Sequence, residues 1–337
     1  MNGNATTPEG RQEAMSETET ETTARRPGRV VSGDAVVDLS HFTEPDQLAV
    51  FSRIEKAAVV IVPEGLAAAY AAIPTAHVAS TLYVPSGVNV RVQTGSMVVG
   101  GDGLGAADDV LVVIGLLIIS SPVTGTVPKR LHVVGTVLAP RGSEQVLGQA
   151  LAGGTGGVTY YPYADGQEVK VLSGQVRLSP AVLANPAGQP DDILVVAGQV
   201  VVTGEVTSVG YRTAIIAGQL AAPTASRDAL EPAIQVQGQS IWYDGANPRV
   251  YNGDARLGAD FLRLLDAPAT LVVLGDLIID EGVTEAALRE KLAGLAVFGD
   301  VIAPAELIGA VQIVATDVLG DIKASTRASD GPDGSGS

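Results

Sequence analysis

The sequence predicts a mainly β fold, a single-chain β-solenoid (β-helix) of about fourteen coils of roughly 20 residues each, and three observations predict it. First, one pattern recurs along the chain: an apolar stretch, a glycine, then a second apolar stretch, as in VLVVIGLLIIS, ILVVAGQVVVTG, TLVVLGDLIID and LAVFGDVIAP. Second, Gly95, Gly115, Gly135, Gly157, Gly174, Gly198, Gly218, Gly238, Gly253, Gly275, Gly299 and Gly320 follow one another at 20, 20, 22, 17, 24, 20, 20, 15, 22, 24 and 21 residues. Third, the flanking stretches are rich in Val, Ile and Leu and several close on Pro. β-branched residues fit a pleated, half-buried surface, whereas Pro lacks the N–H a ladder needs. Spacing this short leaves little room for the regular crossover helices of the competing architecture, two α/β domains.

Taken in chain order, residues 1–30 are rich in Thr, Glu, Pro and Arg and predict a disordered tail. Met15 is an alternative start. Residues 31–57 predict an N-terminal cap, with a helix over Glu44–Ile54, Thr43 as its N-cap and Pro45 in its first turn. The solenoid is expected over residues 58–325. Its first two coils lack the glycine but keep the closing prolines Pro63 and Pro85. A glycine between two strand segments suits a sharp corner that the next coil's backbone approaches closely. Short helical inserts are expected between coils, the clearest starting at Thr284, which can cap the following Glu-Ala-Ala-Leu-Arg-Glu-Lys. Residues 326–337 again read as a disordered tail.

Composition excludes several functions. The chain has 337 residues, 46% of them hydrophobic and 17% charged, with no cysteine and a net charge of −16. Disulfides, thiolate metal sites and cysteine nucleophiles are therefore absent, and the only histidines are His41, His77 and His132. The negative charge argues against nucleic acid as partner, since phosphate binding requires a basic patch. No basic segment leads into an apolar one at the start, and no apolar run reaches the length of a membrane span, so a cytoplasmic protein is expected. The scarcity of Lys beside much Ala, Val and Gly hints at a bacterial, high-GC origin. No cofactor is implied.

If the corners stack, the residue after each glycine forms a column along the rod: Gln175, Gln199, Gln219, Gln239, then Asp254, Asp276, Asp300, Asp321. Stacked Gln side chains can share amide hydrogen bonds. Stacked Asp side chains repel unless they are solvated, cap backbone N–H groups or share a cation. Other chemistry is sparse. Asp108-Asp109 and Asp191-Asp192 are paired carboxylates of the kind glycosidases use, but adjacent acids ahead of a strand are ordinarily turns. Asp38, Ser40 and His41 are close in sequence, but a triad is recognised by geometry and a lone surface histidine is the expected reading. The glycines of Gly100–Gly105 do not match a phosphate loop. Tyr160, Tyr161, Tyr163, Trp242, Tyr243 and Tyr251 are candidates for a sugar-binding flank, or for loops packed on the rod.

Several coils are apolar at successive positions on both sides of the glycine, so outward residues need cover. Val110, Val112, Ile114, Leu117 and Ile119 are the expected lateral assembly face, and Leu319 and Ile322 mark an open terminal coil. A β-solenoid with short Val/Ile-Gly strands between Pro-containing tails resembles the bactofilins over residues 58–324. That resemblance implies a polymer-forming cytoskeletal scaffold with no nucleotide and no catalytic residues. The expected function is a non-enzymatic, self-assembling scaffold whose main partner is another copy of itself, with the tails recruiting other proteins. The alternative is a carbohydrate-binding or carbohydrate-active β-helix using the paired Asp residues and the tyrosines.

Overall fold

The computed structural model describes residues 28–151, 156–245 and 248–325. It is mainly β, with 46% strand against 18% helix. The named strands pair in parallel throughout. Parallel neighbours require a connection that carries the chain back to its starting side, which the turns and short helices between successive strands supply. The chain divides into two compact units between Ser86 and Gly87.

The first unit holds β1 (Arg29–Ser32), β2 (Val36–Asp38), α1 (Pro45–Leu48), β3 (Phe51–Pro63), α2 (Ala67–Ala71) and β4 (Thr75–Val84). The long β3 pairs with β1, β2 and β4, and Val31, Leu48, Ile54, Val60 and Leu66 share one core. Two expectations are corrected here. The cap helix is a single turn whose N-cap is Glu44, with Gln47 Oε1 accepting from the N–H groups of Thr43 (2.8 Å) and Glu44 (2.9 Å). The expected boundary at 57/58 falls inside β3, because Ile54 and Ala57 belong to the same core as Val60 and Val62. Of the expected tails, β1 already includes Arg29 and Val30; residues 1–27 and 326–337 lie outside the described residues.

The second unit begins with a sheet in the order β5 (Val90–Val99), β6 (Val110–Ile119), β7 (Arg130–Pro140), β8 (Gly157–Tyr161), with α3 (Glu144–Ala150) before β8. A second sheet follows: β9 (Val169–Leu178), α4 (Pro180–Leu183), β10 (Ile193–Val202), β11 (Thr213–Pro223), α5 (Arg227–Leu230), β12 (Ile234–Val236) and β13 (Ser240–Tyr243), where both short strands pair with β11. The final stretch alternates between two sheets. Its elements are β14 (Arg249–Tyr251), β15 (Ala255–Leu257), α6 (Ala259–Arg263), β16 (Ala269–Val273), β17 (Leu277–Ile279), α7 (Glu285–Lys291), β18 (Leu292–Val297), β19 (Val301–Ala303), α8 (Ile308–Val314), β20 (Ala315–Val318) and β21 (Ile322–Ala324). The orders are β14-β16-β18-β20 and β15-β17-β19-β21. Thr284 caps α7 as expected, its Oγ1 accepting from Ala287 N–H at 3.2 Å.

The strands form separate sheets of four or five rather than one continuous ladder of fourteen. A longer period underlies this. Pro63, Pro140, Pro223 and Pro304 stand 77, 83 and 81 residues apart, each closing or following a strand and leading into a helical turn with a buried leucine: Leu66, Leu147, Leu230 and Leu307.

Within the second unit the sheets cover one another. On β10, Leu194, Val196, Val200 and Val202 face one core. Ile193, Val195 and Ala197 pack with Ile118, Leu138 and Tyr161 from the first sheet. Val201 packs with Val272, Leu274 and Phe298 from the last stretch. A strand buried on both faces reads as a continuous apolar run, which is why β6 and β10 carry no polar alternation. The expected lateral assembly face is corrected accordingly: Val110, Val112, Leu117 and Ile119 are fully buried within this chain and Ile114 is half-buried, so none of the four fully buried residues is available to a partner.

Candidate functional site

The columns at the corners and the edges of the sheets are the places where chemistry-bearing side chains and unpaired backbone gather. The corner glycines fall into register three times. Gly95, Gly115 and Gly135 are partners in the first sheet, as are Gly174, Gly198 and Gly218 in the second. Gly299 donates its N–H to Gly275 O at 3.0 Å in the last stretch. One member is corrected: Gly157 pairs with Thr136, and Gly156 is the residue that lies against Gly135. Gly238 likewise lies against Gly218, and Gly320 against Gly299.

The single column expected from Gln175 to Asp321 is two columns of different chemistry, because the sheets that carry them are distinct. In the second sheet Gln175 Nε2 donates to Gln199 Oε1 (3.1 Å), and Gln199 Nε2 donates to Gln219 Oε1 (2.8 Å). Gln239 contributes its main-chain carbonyl, which accepts from Leu220 N–H at 2.9 Å. In the last stretch each aspartate caps the next strand's backbone: Asp254 Oδ1 accepts from Asp276 N–H (2.9 Å), Asp276 Oδ1 from Asp300 N–H (2.8 Å) and Asp300 Oδ1 from Asp321 N–H (2.8 Å). Lys323 Nζ lies 2.7 Å from Asp300 Oδ2 and 3.2 Å from Asp321 Oδ2. Its ammonium, then the Asp321 N–H, hold the Asp300 carboxyl below the usual range, and Asp300 followed by Asp321 raises Lys323. Backbone capping thus relieves the like-charge repulsion that the sequence raises as a problem. Among the described residues no group of three or more acidic or histidine side chains is disposed to hold a metal ion.

The paired aspartates have partners that the sequence reading missed. Asp192 is 3% exposed, and its Oδ2 accepts from Asn185 Nδ2 (3.2 Å) and Gln189 N–H (3.0 Å), with Lys170 Nζ at 3.4 Å. Lys170 also donates to Asn185 Oδ1 at 2.8 Å and stacks over the Tyr211 ring at 5.6 Å. Asp109 is half-buried, accepts from Asn89 Nδ2 at 3.0 Å and faces Arg91 at 3.8 Å. In each case the cation sits on the preceding strand, 18 or 22 residues upstream, so the coil period itself is the signal that identifies Arg91 and Lys170. Asp108 is exposed, and Asp191 meets Arg212 at 3.7 Å on the surface.

The Asn185 amide, the Gln189 N–H and Lys170 hold the Asp192 carboxyl below its ordinary value against the opposing effect of burial. A carboxylate held low in the folded chain, and ordinary in the unfolded one, adds stability above about pH 4 that is lost as the pH falls through the folded value. Asp192→Ala is therefore expected to lower the urea midpoint at pH 7, with the gap to the unsubstituted chain narrowing as the pH falls below about 4. A gap independent of pH would show that the carboxylate's charge contributes nothing.

The aromatic residues do not make one exposed flank. Tyr161 and Tyr243 are buried, and their hydroxyls donate to Ile119 O (2.5 Å) and to Val202 O. Burial pushes both phenols well above their ordinary range. Trp242 lies 4.8 Å beneath the Arg227 guanidinium, and Tyr251 meets Phe261 edge-on at 6.3 Å. Ser40 N–H bonds to Asp38 Oδ1 at 2.8 Å while His41 stacks on Phe42 at 4.1 Å, an Asx turn rather than a triad.

What stays open is strand edge. In the last stretch β14 and β15 lie at one end of their sheets and β20 and β21 at the other. Leu319, 39% exposed, and Ile322, half-buried, lie at the latter end, as the expected terminal assembly residues. Among the described residues no helix is long and apolar enough to cross a membrane. The chain matches no protein-family model, no curated protein and no solved structure in comparison with each.

Proposed function

We propose that this protein is a non-enzymatic structural scaffold, built of short β-solenoid segments, that associates with copies of itself through the open ends of its parallel sheets. The observation that carries the reading is that, among the described residues, the end strands of the sheets pair with no further strand, and an uncovered edge strand presents a row of main-chain donors and acceptors to another strand. The polar side chains that suggest chemistry support the same reading. Asp254, Asp276 and Asp300 spend their carboxylates on the backbone of the next strand, Asp192 on Asn185, Gln189 and Lys170, and Gln175, Gln199 and Gln219 their amides on one another. The carbohydrate reading draws no comparable support, because its tyrosines are divided between the interior and separate surface contacts.

Light scattering and negative-stain microscopy across a concentration series are expected to show assemblies that grow with concentration. Leu319→Lys, alone and with Ile322→Glu, is expected to reduce them to monomers while circular dichroism stays β-rich. Persistence of the assemblies in a folded Leu319→Lys variant would remove the terminal edge from the interface. A monomer at every concentration would overturn the scaffold reading.

A further inference from the structure

The aspartate column of the last stretch is a hydrogen-bond ladder with the same step three times over and unfinished ends. Each step passes from a carboxylate to the N–H of the aspartate on the next strand, at 2.9, 2.8 and 2.8 Å. At the first end, the Asp254 N–H meets no acceptor among the described residues. At the last end, the Asp321 side chain is 78% exposed and, among the described residues, is met by Lys323 alone. The strand edges agree: among the described residues β14 and β15 pair with no strand on the side where Asp254 lies, nor β20 and β21 on the side where Asp321 lies.

Two further observations say what fits there. The first pair of strands carries Arg249 and Arg256 with Asp254 between them, and the last pair carries Asp317, whose Oδ2 accepts from Trp242 N–H at 3.0 Å, and Lys323, with Asp321 between them. The corners differ. A Cβ on Gly275, Gly299 or Gly320 would run into the backbone of the preceding corner, whereas the space beside Gly253 is empty for 4 Å.

We propose that the last edge of one copy takes up the first edge of a second copy, in the register already used inside the chain. The Asp321 carboxylate then accepts the Asp254 N–H of the second copy, β20 and β21 pair with its β14 and β15, and its Gly253 closes against Gly320. Lys323 approaches the second copy's Arg256 in this register. Each is already neutralised, Lys323 by Asp300 and Asp321 and Arg256 by Asp280. Because the two edges are unlike, the contact is head-to-tail, does not close by two-fold symmetry and repeats. The inference rests on the self-association reading and specifies its mode.

The test compares the full chain with Asp321→Asn, Asp321→Ala, Gly253→Ala and Leu319→Lys by sedimentation and light scattering, with folding checked by circular dichroism and melting. Asn retains a side-chain oxygen acceptor and is expected to assemble. Asp321→Ala is expected to raise the concentration needed for assembly about tenfold or more, the effect of one charge-assisted hydrogen bond. Gly253→Ala is expected to fold and stay monomeric. Leu319→Lys, blocked at the last edge, and Gly253→Ala, blocked at the first, are expected to form a one-to-one dimer when mixed. Assembly unchanged in both Asp321→Ala and Gly253→Ala would overturn the ladder while leaving self-association standing. A Leu319→Lys variant that remains dimeric by itself would replace head-to-tail contact with a symmetric one. Assembly that appears only on deleting residues 326–337 would place that segment on the edge instead of a second copy. No assembly by any form would overturn the ladder together with the reading beneath it.

Discussion

Alanine at Gly218 is expected to destabilise the second unit by about 4 kcal/mol or more, a size reserved for a few mechanisms such as backbone strain and core overpacking. Gly218 sits at φ +152°, and a Cβ there would overlap the carbonyl of Gly198, its partner on the neighbouring strand. Relief requires β11 to move away from β10, which would break a register running from Ile193 with Thr213 to Val201 with Ala221. Gly174 provides the internal control. It occupies the same corner on β9, at φ +89°, but has nothing within 4 Å of a Cβ position. Alanine at Gly174 is expected to cost only the conformational strain, about 1–2 kcal/mol. Urea unfolding of the two variants checks the difference; equal losses would mean that backbone proximity plays no part at the corner.

The second large effect is expected at the buried tyrosines. Tyr243 is fully buried beside Val201, Ala221 and Ile241, and its hydroxyl reaches back across the sheet to the carbonyl of Val202. Truncation to alanine removes an aromatic side chain from a packed core and is expected to cost about 3–5 kcal/mol. Phenylalanine keeps the ring and strands the carbonyl, for a loss of about 1–2 kcal/mol. Tyr161 makes the corresponding bond to Ile119 O in the first sheet and is expected to show the same ordering. Calorimetric melting of the four variants is the check. A Tyr243→Phe variant as stable as the parent would mean that the hydroxyl's bond is replaced by water or adds nothing.

Much of the fold is legible in the chain because it depends on local stereochemistry and strand chemistry. The Val/Ile runs around Gly115, Gly198 and Gly218 require strands, and the fixed interval between those glycines requires the strands to lie parallel with corners aligned. Thr284 announces α7 in the same local way. Other features were not legible from local pattern alone. The helix expected over Glu44–Ile54 stops after one turn, because Ile54 and Ala57 are drawn into the core that β3 shares with β1. The paired aspartates suggested catalysis only while their partners were out of sight. Lys170 and Arg91 stand one coil upstream, at a separation that local motifs do not span.

The sequence by itself therefore determined strand chemistry, the corner positions apart from Gly157 and most of the ladder-forming residues, since each follows from the side chains within one coil. Tertiary structure alone decided where one sheet ends and the next begins, and hence which apolar residues remain exposed. Val110 and Val112 read as an outward face, yet both are fully buried, while on β10 two different clusters claim alternate residues of the same run. The physical reason is that burial is non-directional and proportional to area. A run of valines records that both faces of a strand are covered, but carries no record of whether the cover belongs to its own chain or to another.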